Sequence, residues 1–412
     1  MAEYIVAQAN GRTIPKEDKI FGISNRAKAM IKEVGKENVV NATIGALLDD
    51  NGNLIVLSSV MEAMKTLKPE DYAEYAPIGG IPEFKEAVKK AAFYDFEPKT
   101  YTEVVAMPGG TGGIRDVVGN YSKIGDTILT SDWYWANYKS IAGEIGRTLT
   151  TFTLLNEEGT FNREDFVAKM KDILSKQDSL VIILNTPAHN PTGYSLTPED
   201  WDVVIASLKE TAGEDKKVAL FVDAAYIDFA GQPKEVRHFL PKLEELPANI
   251  LPIFGYSASK TFTFYGFRCG AIICMAQTPE IAAEFKQVCE FSARATWSNC
   301  ARAAQKVIAN IYADEALLAK VDEERNEYME MLLARGKAFD NAAKEAGLKI
   351  VPFDSGFFAS IPCDNPDEIS KKLEAKGIFL VPLAMGLRVS VASISEERCA
   401  QLPAIIKAAM EE

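Results

Sequence analysis

Apolar residues in the middle of the chain gather into short runs. Val104 to Met107, Thr127 to Thr130, Leu180 to Leu184, Val218 to Val222 and Pro252 to Tyr256 are such runs, each bounded by polar or turn-forming residues. That pattern predicts strands buried on both faces. Between them lie amphipathic stretches, including Phe161 to Gln177 and Pro198 to Thr211. The second follows Thr197-Pro198-Glu199-Asp200, an N-cap residue, a proline and two acids, which together start a helix. Strands alternating with helices predict an α/β fold, with a mostly parallel sheet between layers of helix.

Beyond about residue 296 the pattern changes. Asn299 to Ala346 is rich in Ala, Glu, Leu and Lys and reads as one long helical stretch. Short strands are predicted at Lys349 to Pro352, Phe357 to Ile361, Ile378 to Pro382 and Leu387 to Val391, with a helix at Pro366 to Lys376. This is the pattern of a smaller α+β domain. The N-terminal segment shows one helix, Ile23 to Val34, and a turn-rich stretch from Gly45 to Asn53, with no strand for the large sheet. The expected division is a large domain over 50–299 and a small domain made of 1–49 and 300–412.

The 412 residues suffice for two ordinary domains. A net charge of -13 argues against nucleic acid, whose phosphates demand a basic face. The cysteines form no C-x-x-C pair, and His189 and His238 are the only histidines, so no metal centre is expected. No apolar run approaches the ~20 residues that span a bilayer. Met1 to Val6 lacks the basic and apolar regions of a signal peptide, so a cytoplasmic protein is expected.

The segment Tyr256-Ser257-Ala258-Ser259-Lys260 is followed by Arg268 between Gly266 and Gly270. A lysine amine can form a Schiff base with an aldehyde. Serine hydroxyls and an arginine are phosphate ligands. An aldehyde and a phosphate bound together fit pyridoxal 5'-phosphate. A solvated lysine in an apolar loop is the alternative for this segment alone.

Other polar groups also follow predicted strands. After Met107 comes Gly109-Gly110-Thr111-Gly112-Gly113, a turn that lets backbone approach a ligand and leads into a helix N-terminus able to meet an anion, or is simply a turn. After Leu184 comes Asn190-Pro191-Thr192-Gly193, a rigid turn or a plain loop. Asp223 ends an apolar strand, where a carboxylate needs a partner such as a protonated pyridine nitrogen, or serves as a helix cap. Together these loops fall on the carboxyl edge of the sheet, where such folds bind ligands.

With those motifs in order along nearly the whole chain, the sequence resembles class I aminotransferases, of the fold-type I pyridoxal-phosphate enzymes. The likeness is greatest to the aspartate and aromatic amino acid aminotransferases. The resemblance implies a large domain with a seven-stranded-type sheet. It implies that Lys260 carries the cofactor and, with Asp223 and Tyr226, forms the catalytic set. It implies cofactor contacts from Gly110, Thr111, Trp135, Asn190, Ser257 and Arg268, and across a homodimer from Tyr75 and Ser298. Substrate contacts would come from Gly45, Trp135, Asn190, Arg388 and, from the neighbouring subunit, Arg294. The implied reaction is ping-pong transamination through the pyridoxamine form, between aspartate or an aromatic amino acid and a 2-oxo acid such as 2-oxoglutarate. The Asn190-Pro191 bond is expected to be cis. Tyr138 and Asn185 stand where family members often carry histidines near the acid at the pyridine nitrogen, and Cys300-Ala301-Arg302 replaces the usual residues after Asn299. A β-lyase sharing the cofactor and a non-catalytic ligand sensor are the competing readings.

Overall fold

The computed structural model describes residues 5–8 and 18–412. Met1 to Tyr4, on which the expectation of no signal peptide partly rests, lies outside the described residues.

In chain order the strands are β1 (Val40–Asn41), β2 (Val104–Met107), β3 (Thr127–Ser131), β4 (Thr148–Phe152), β5 (Ser179–Asn185) and β6 (Lys217–Asp223). There follow β7 (Ile250–Ser257), β8 (Gly270–Cys274), β9 (Phe358–Pro362), β10 (Ile378–Phe379), β11 (Val381–Pro382) and β12 (Gly386–Ser390). Seven of them form one sheet in the order β2-β8-β7-β6-β5-β3-β4. Its strands run parallel except β8, which is antiparallel to both neighbours.

Alternation along these strands divides the apolar side chains between two faces. Val181, Ile183, Ala219, Phe221 and Ile253 pack beneath the Gly109–Tyr121, Asn137–Glu144 and Pro279–Thr296 helices. Leu180, Ile182, Leu184, Leu220 and Val222 face the other way, into a core shared with the Pro82–Phe93, Arg163–Leu174, Pro198–Ala212 and Arg302–Ala313 helices. Both faces are therefore dry, and no strand in the centre of the sheet needs polar residues until it reaches its end.

The register then places the polar ends side by side. Asn185 pairs with Asp223, and Asp223 with Gly255, two residues before Ser257. A second core joins a three-stranded antiparallel sheet, β11-β12-β9, to the Glu315–Glu345 and Glu396–Glu411 helices. The N-terminal segment joins it through the parallel pair β1–β10 and through Ala42 and Leu47.

Several expectations need correction. Asn299 to Ala346 is two helices, Arg302–Ala313 and Glu315–Glu345. Asp314 leaves helical geometry at φ -116° and ψ 103°, and its carboxylate caps Ala316 N and Leu317 N. Lys349 to Pro352 forms no strand: Val351 N makes one bond to Ser360 O, and Pro352 has no N–H to continue a ladder. Ile378 to Pro382 divides into β10 and β11, which pair with different sheets. The apolar residues of Arg302–Ala313 and Glu315–Glu345 divide between the two cores. Ala304, Val307, Ile308, Leu317 and Val321 belong to the large-sheet core, whereas Met329, Leu332 and Phe339 belong to the smaller one.

Candidate active site

A cavity of about 390 Å³ opens at the carboxyl edge of the large sheet, against the smaller core. All the predicted site residues line it except Tyr75, Arg294 and Ser298.

Lys260 stands in the short Ala258–Thr261 helix that follows β7. Its Nζ donates to Gly45 O at 2.6 Å and lies 4.8 Å from the centre of the Tyr265 ring and 5.4 Å from that of Tyr226. Burial, then the charges of Arg388 and Arg268, bring the ammonium down to about 7. A good share of this amine is therefore neutral at neutral pH, the form that attacks an aldehyde or takes up a proton.

Asp223 is buried at the end of β6. Its carboxylate accepts from Tyr138 Oη at 2.5 Å and from Ala225 N at 3.3 Å. Desolvation raises its pKa, against the lowering effect of these two bonds. Both donors are neutral, so the charge lacks a buried counter-ion, which a protonated ring nitrogen would supply. Asn185 braces the loop beside it. Its Nδ2 donates to Asp223 O at 2.6 Å, and its Oδ1 accepts from Asn190 N at 2.6 Å. Asn190 Nδ2 in turn donates to Tyr226 Oη at 3.3 Å. The Asn190-Pro191 bond is cis, as expected, and so is Thr186-Pro187.

Opposite lies an anion cradle. The Gly109–Tyr121 helix points its first turn, with Gly110 and Thr111, into the cavity, and amide hydrogens there have no partner within the helix. Ser257, Ser259 and Arg268 complete it. Arg268 Nη1 donates to Ser259 Oγ at 3.2 Å and to Tyr265 O at 3.0 Å. Gly109 has φ +74°, and a Cβ there would lie 2.5 Å from Arg268 Nη2. Only glycine lets the guanidinium cross this turn. The donor set suits a phosphate, and the amine and carboxylate suit an aldehyde and a ring nitrogen. Pyridoxal 5'-phosphate therefore fits these residues.

Arg388, on β12, is also buried. Its Nη2 donates to Thr43 O at 2.9 Å and its Nη1 to Asn190 Oδ1 at 3.3 Å, while its Nε is buried without a partner. The guanidinium lies 4.3 Å from the centre of the Phe358 ring, and burial lowers its pKa to about 10. Lys260, Arg268 and Arg388 outnumber Asp223 among the charged lining residues, so this cavity is basic in an acidic chain.

Residues 37–406 match the family model for aminotransferase class I and II. The chain belongs to that family. It is an aminotransferase of a pyridoxal-phosphate-dependent class. A crystal structure of an aminotransferase from Anaerococcus prevotii superposes with a TM-score of 0.96 at 35% identity, covering 99% of this chain and 100% of that one. Aspartate aminotransferase of Salmonella typhi is 26% identical over 95% of this chain and 97% of its own. Aromatic-amino-acid aminotransferase of Escherichia coli is 25% identical over 85% of this chain and 88% of its own. Family membership removes the non-catalytic sensor as a reading of the chain.

Of the three residues outside the cavity, Tyr75 and Arg294 are exposed and Ser298 is half-buried. Tyr75 is 85% exposed, and exposed Arg294 donates to Ser298 Oγ at 2.6 Å. Other lining residues escaped notice in the sequence. Tyr265 follows Lys260 in the stretch that also carries Ser259 of the serine motif. Phe358 lay in a predicted strand, where an apolar residue signals only core. Ile20 and Phe21 carry no sequence signal for a site; Phe21 lines the cavity while 71% exposed.

Proposed function

We propose that this aminotransferase transfers the amino group of aspartate or an aromatic amino acid, or both, to a 2-oxo acid such as 2-oxoglutarate, in ping-pong fashion. The observation that carries this reading is the meeting in one cavity of the Lys260 amine, the Asp223 carboxylate, the Arg388 guanidinium and the cradle of Thr111, Ser257 and Arg268. When bound, pyridoxal 5'-phosphate supplies the carbonyl that receives the amino group and a ring that takes up an electron pair from Cα.

The protein's groups have separate tasks. The cradle would anchor the phosphate. Trp135 would pack against the ring, and Asn190 and Tyr226 would hold its oxygen. Asp223 keeps the ring nitrogen protonated, because its negative charge favours the cationic form. Arg388 grips the substrate α-carboxylate with its fork of donors. Lys260 Nζ would take the proton from Cα and deliver it to the cofactor carbon that receives the nitrogen, acting as base and then acid. Fixing both ends of the substrate gives the orientation that this transfer requires.

The reading extends to a cytoplasmic homodimer, with Tyr75 and Ser298 reaching the neighbour's cofactor and Arg294 the side-chain carboxylate of a dicarboxylic substrate. It also treats the chain as a large cofactor-binding domain and a smaller domain formed from both ends of the sequence. The test is a panel of aspartate, glutamate, phenylalanine, tyrosine and cystathionine, each with and without 2-oxoglutarate. A new 2-oxo acid should appear from aspartate or the aromatic donors, and beyond one equivalent per enzyme only with the acceptor present. Pyruvate released from cystathionine without an acceptor, with no transfer from the other donors, would replace transamination with β-elimination.

A further inference from the structure

Tyr138 is buried in the Asn137–Glu144 helix, with its ring held by aromatic neighbours. It stacks on Tyr134 at 6.5 Å between centroids and meets Trp135 edge-on at 5.7 Å. Its hydroxyl reaches Asp223 Oδ2 at 2.5 Å. Among the described residues no other side chain donates to this carboxylate, since the Asn185 amide is engaged with Asp223 O and Asn190 N. The remaining donor, Ala225 N, is a longer contact at 3.3 Å to Oδ1. A carboxylate buried this deeply reverts to the neutral acid unless donors favour its charge.

We propose that Tyr138 is a positioning residue for the cofactor, its phenol keeping the Asp223 carboxylate ionised and turned toward the ring nitrogen. This rests on the role given to Asp223 above. The same bond sets the carboxylate's rotation by fixing one oxygen, and leaves Oδ1 with a weak partner. Burial and the Asp223 charge push the Tyr138 hydroxyl well above its ordinary range, so it remains a donor throughout the working pH range. The titratable groups sharing the cavity are Lys260, Tyr226, Tyr265, Arg268 and Arg388. They are common to wild type and to a Tyr138 variant, so the difference between the two pH profiles isolates the Tyr138–Asp223 bond.

The experiment is a double-mutant cycle on full-length apoenzyme: wild type, Tyr138→Phe, Asp223→Asn and the double variant, each titrated with pyridoxal 5'-phosphate and followed by protein fluorescence. Phenylalanine preserves the ring packing. Tyr138→Phe should weaken binding by roughly tenfold to a hundredfold when Asp223 is present, as loss of a hydrogen bond to a charged group does. In the Asp223→Asn background the same change should cost less than about threefold. In Tyr138→Phe the fall in affinity on acidification should also begin at higher pH, because removing a donor raises the carboxylate's pKa. Equal losses in both backgrounds, or pH profiles that stay parallel, would assign Tyr138 to packing alone and overturn the proposal. Wild-type protein that fails to bind the compound would instead overturn the reading of the site, and this proposal with it.

Discussion

The two arginines expected to serve the substrate differ in how finished their surroundings are, since Arg388 lines the cavity and Arg294 does not. Arg388 is held in place by Thr43 O, Asn190 and the face of Phe358 before any substrate arrives. Arg294 lies exposed near the end of the Pro279–Thr296 helix, with Ser298 as its partner. The first is preorganised, so its position costs little when a carboxylate binds. The second is exposed, as are Tyr75 and Phe291 at 85% and 78%. In the proposed reading one chain supplies the groups for the α-carboxylate and most of those for the cofactor. A homodimer would bring Tyr75, Ser298 and Arg294 to the neighbour's cavity.

The largest expected effect bears on the finished half. Lys260→Ala should bind pyridoxal 5'-phosphate without covalent attachment, and transamination should fall by several orders of magnitude. A borohydride-stable bond between cofactor and variant, or near-normal turnover, would remove Lys260 from its place. Arg388→Ala should lower kcat/KM by about 10²- to 10³-fold for every amino acid, since all carry the α-carboxylate. A loss confined to dicarboxylates would invert the contrast drawn between the two arginines.

Acidity offers a test of the same interior. With Lys260 near 7, the rate at which apoenzyme captures the aldehyde should rise about tenfold per pH unit below that value and level off above it. The direction follows from the neutral amine being the nucleophile. A rate still climbing at about pH 9 would mean that the lysine keeps its ordinary basicity.

The smallest effect concerns the exposed arginine. Arg294→Ala should weaken aspartate and glutamate by about tenfold to a hundredfold while changing phenylalanine and tyrosine by less than about threefold. Equal losses would take specificity away from it, and no loss at all would leave it a surface residue.

The interior was also the part most legible in the sequence. β5, β6 and β7 announce themselves as apolar runs, and their ends carry Asn185, Asp223 and Ser257 into the cavity by register alone. β4 was less visible because Thr148-Leu149-Thr150-Thr151-Phe152 is an edge strand, half polar and only partly covered. β8 hid because Gly270 to Cys274 follows directly on the Arg268 motif and runs against its neighbours, contrary to the alternation of strand and helix. The break at Asp314 had a readable cap, but the Ala, Glu and Lys around it gave no change of pattern. Phe21 could not be found from sequence, since nothing in a helix period says that one exposed residue overhangs a cavity formed by segments far along the chain.

The cavity is walled by two sheets with separate interiors: the cradle and Asp223 belong to the large one, whereas Phe358 and Arg388 belong to the three-stranded one. Substitutions along β9 and β12 would therefore reach the cavity through a scaffold that packs apart from the one carrying the cradle, with Arg388 joining the two at Asn190.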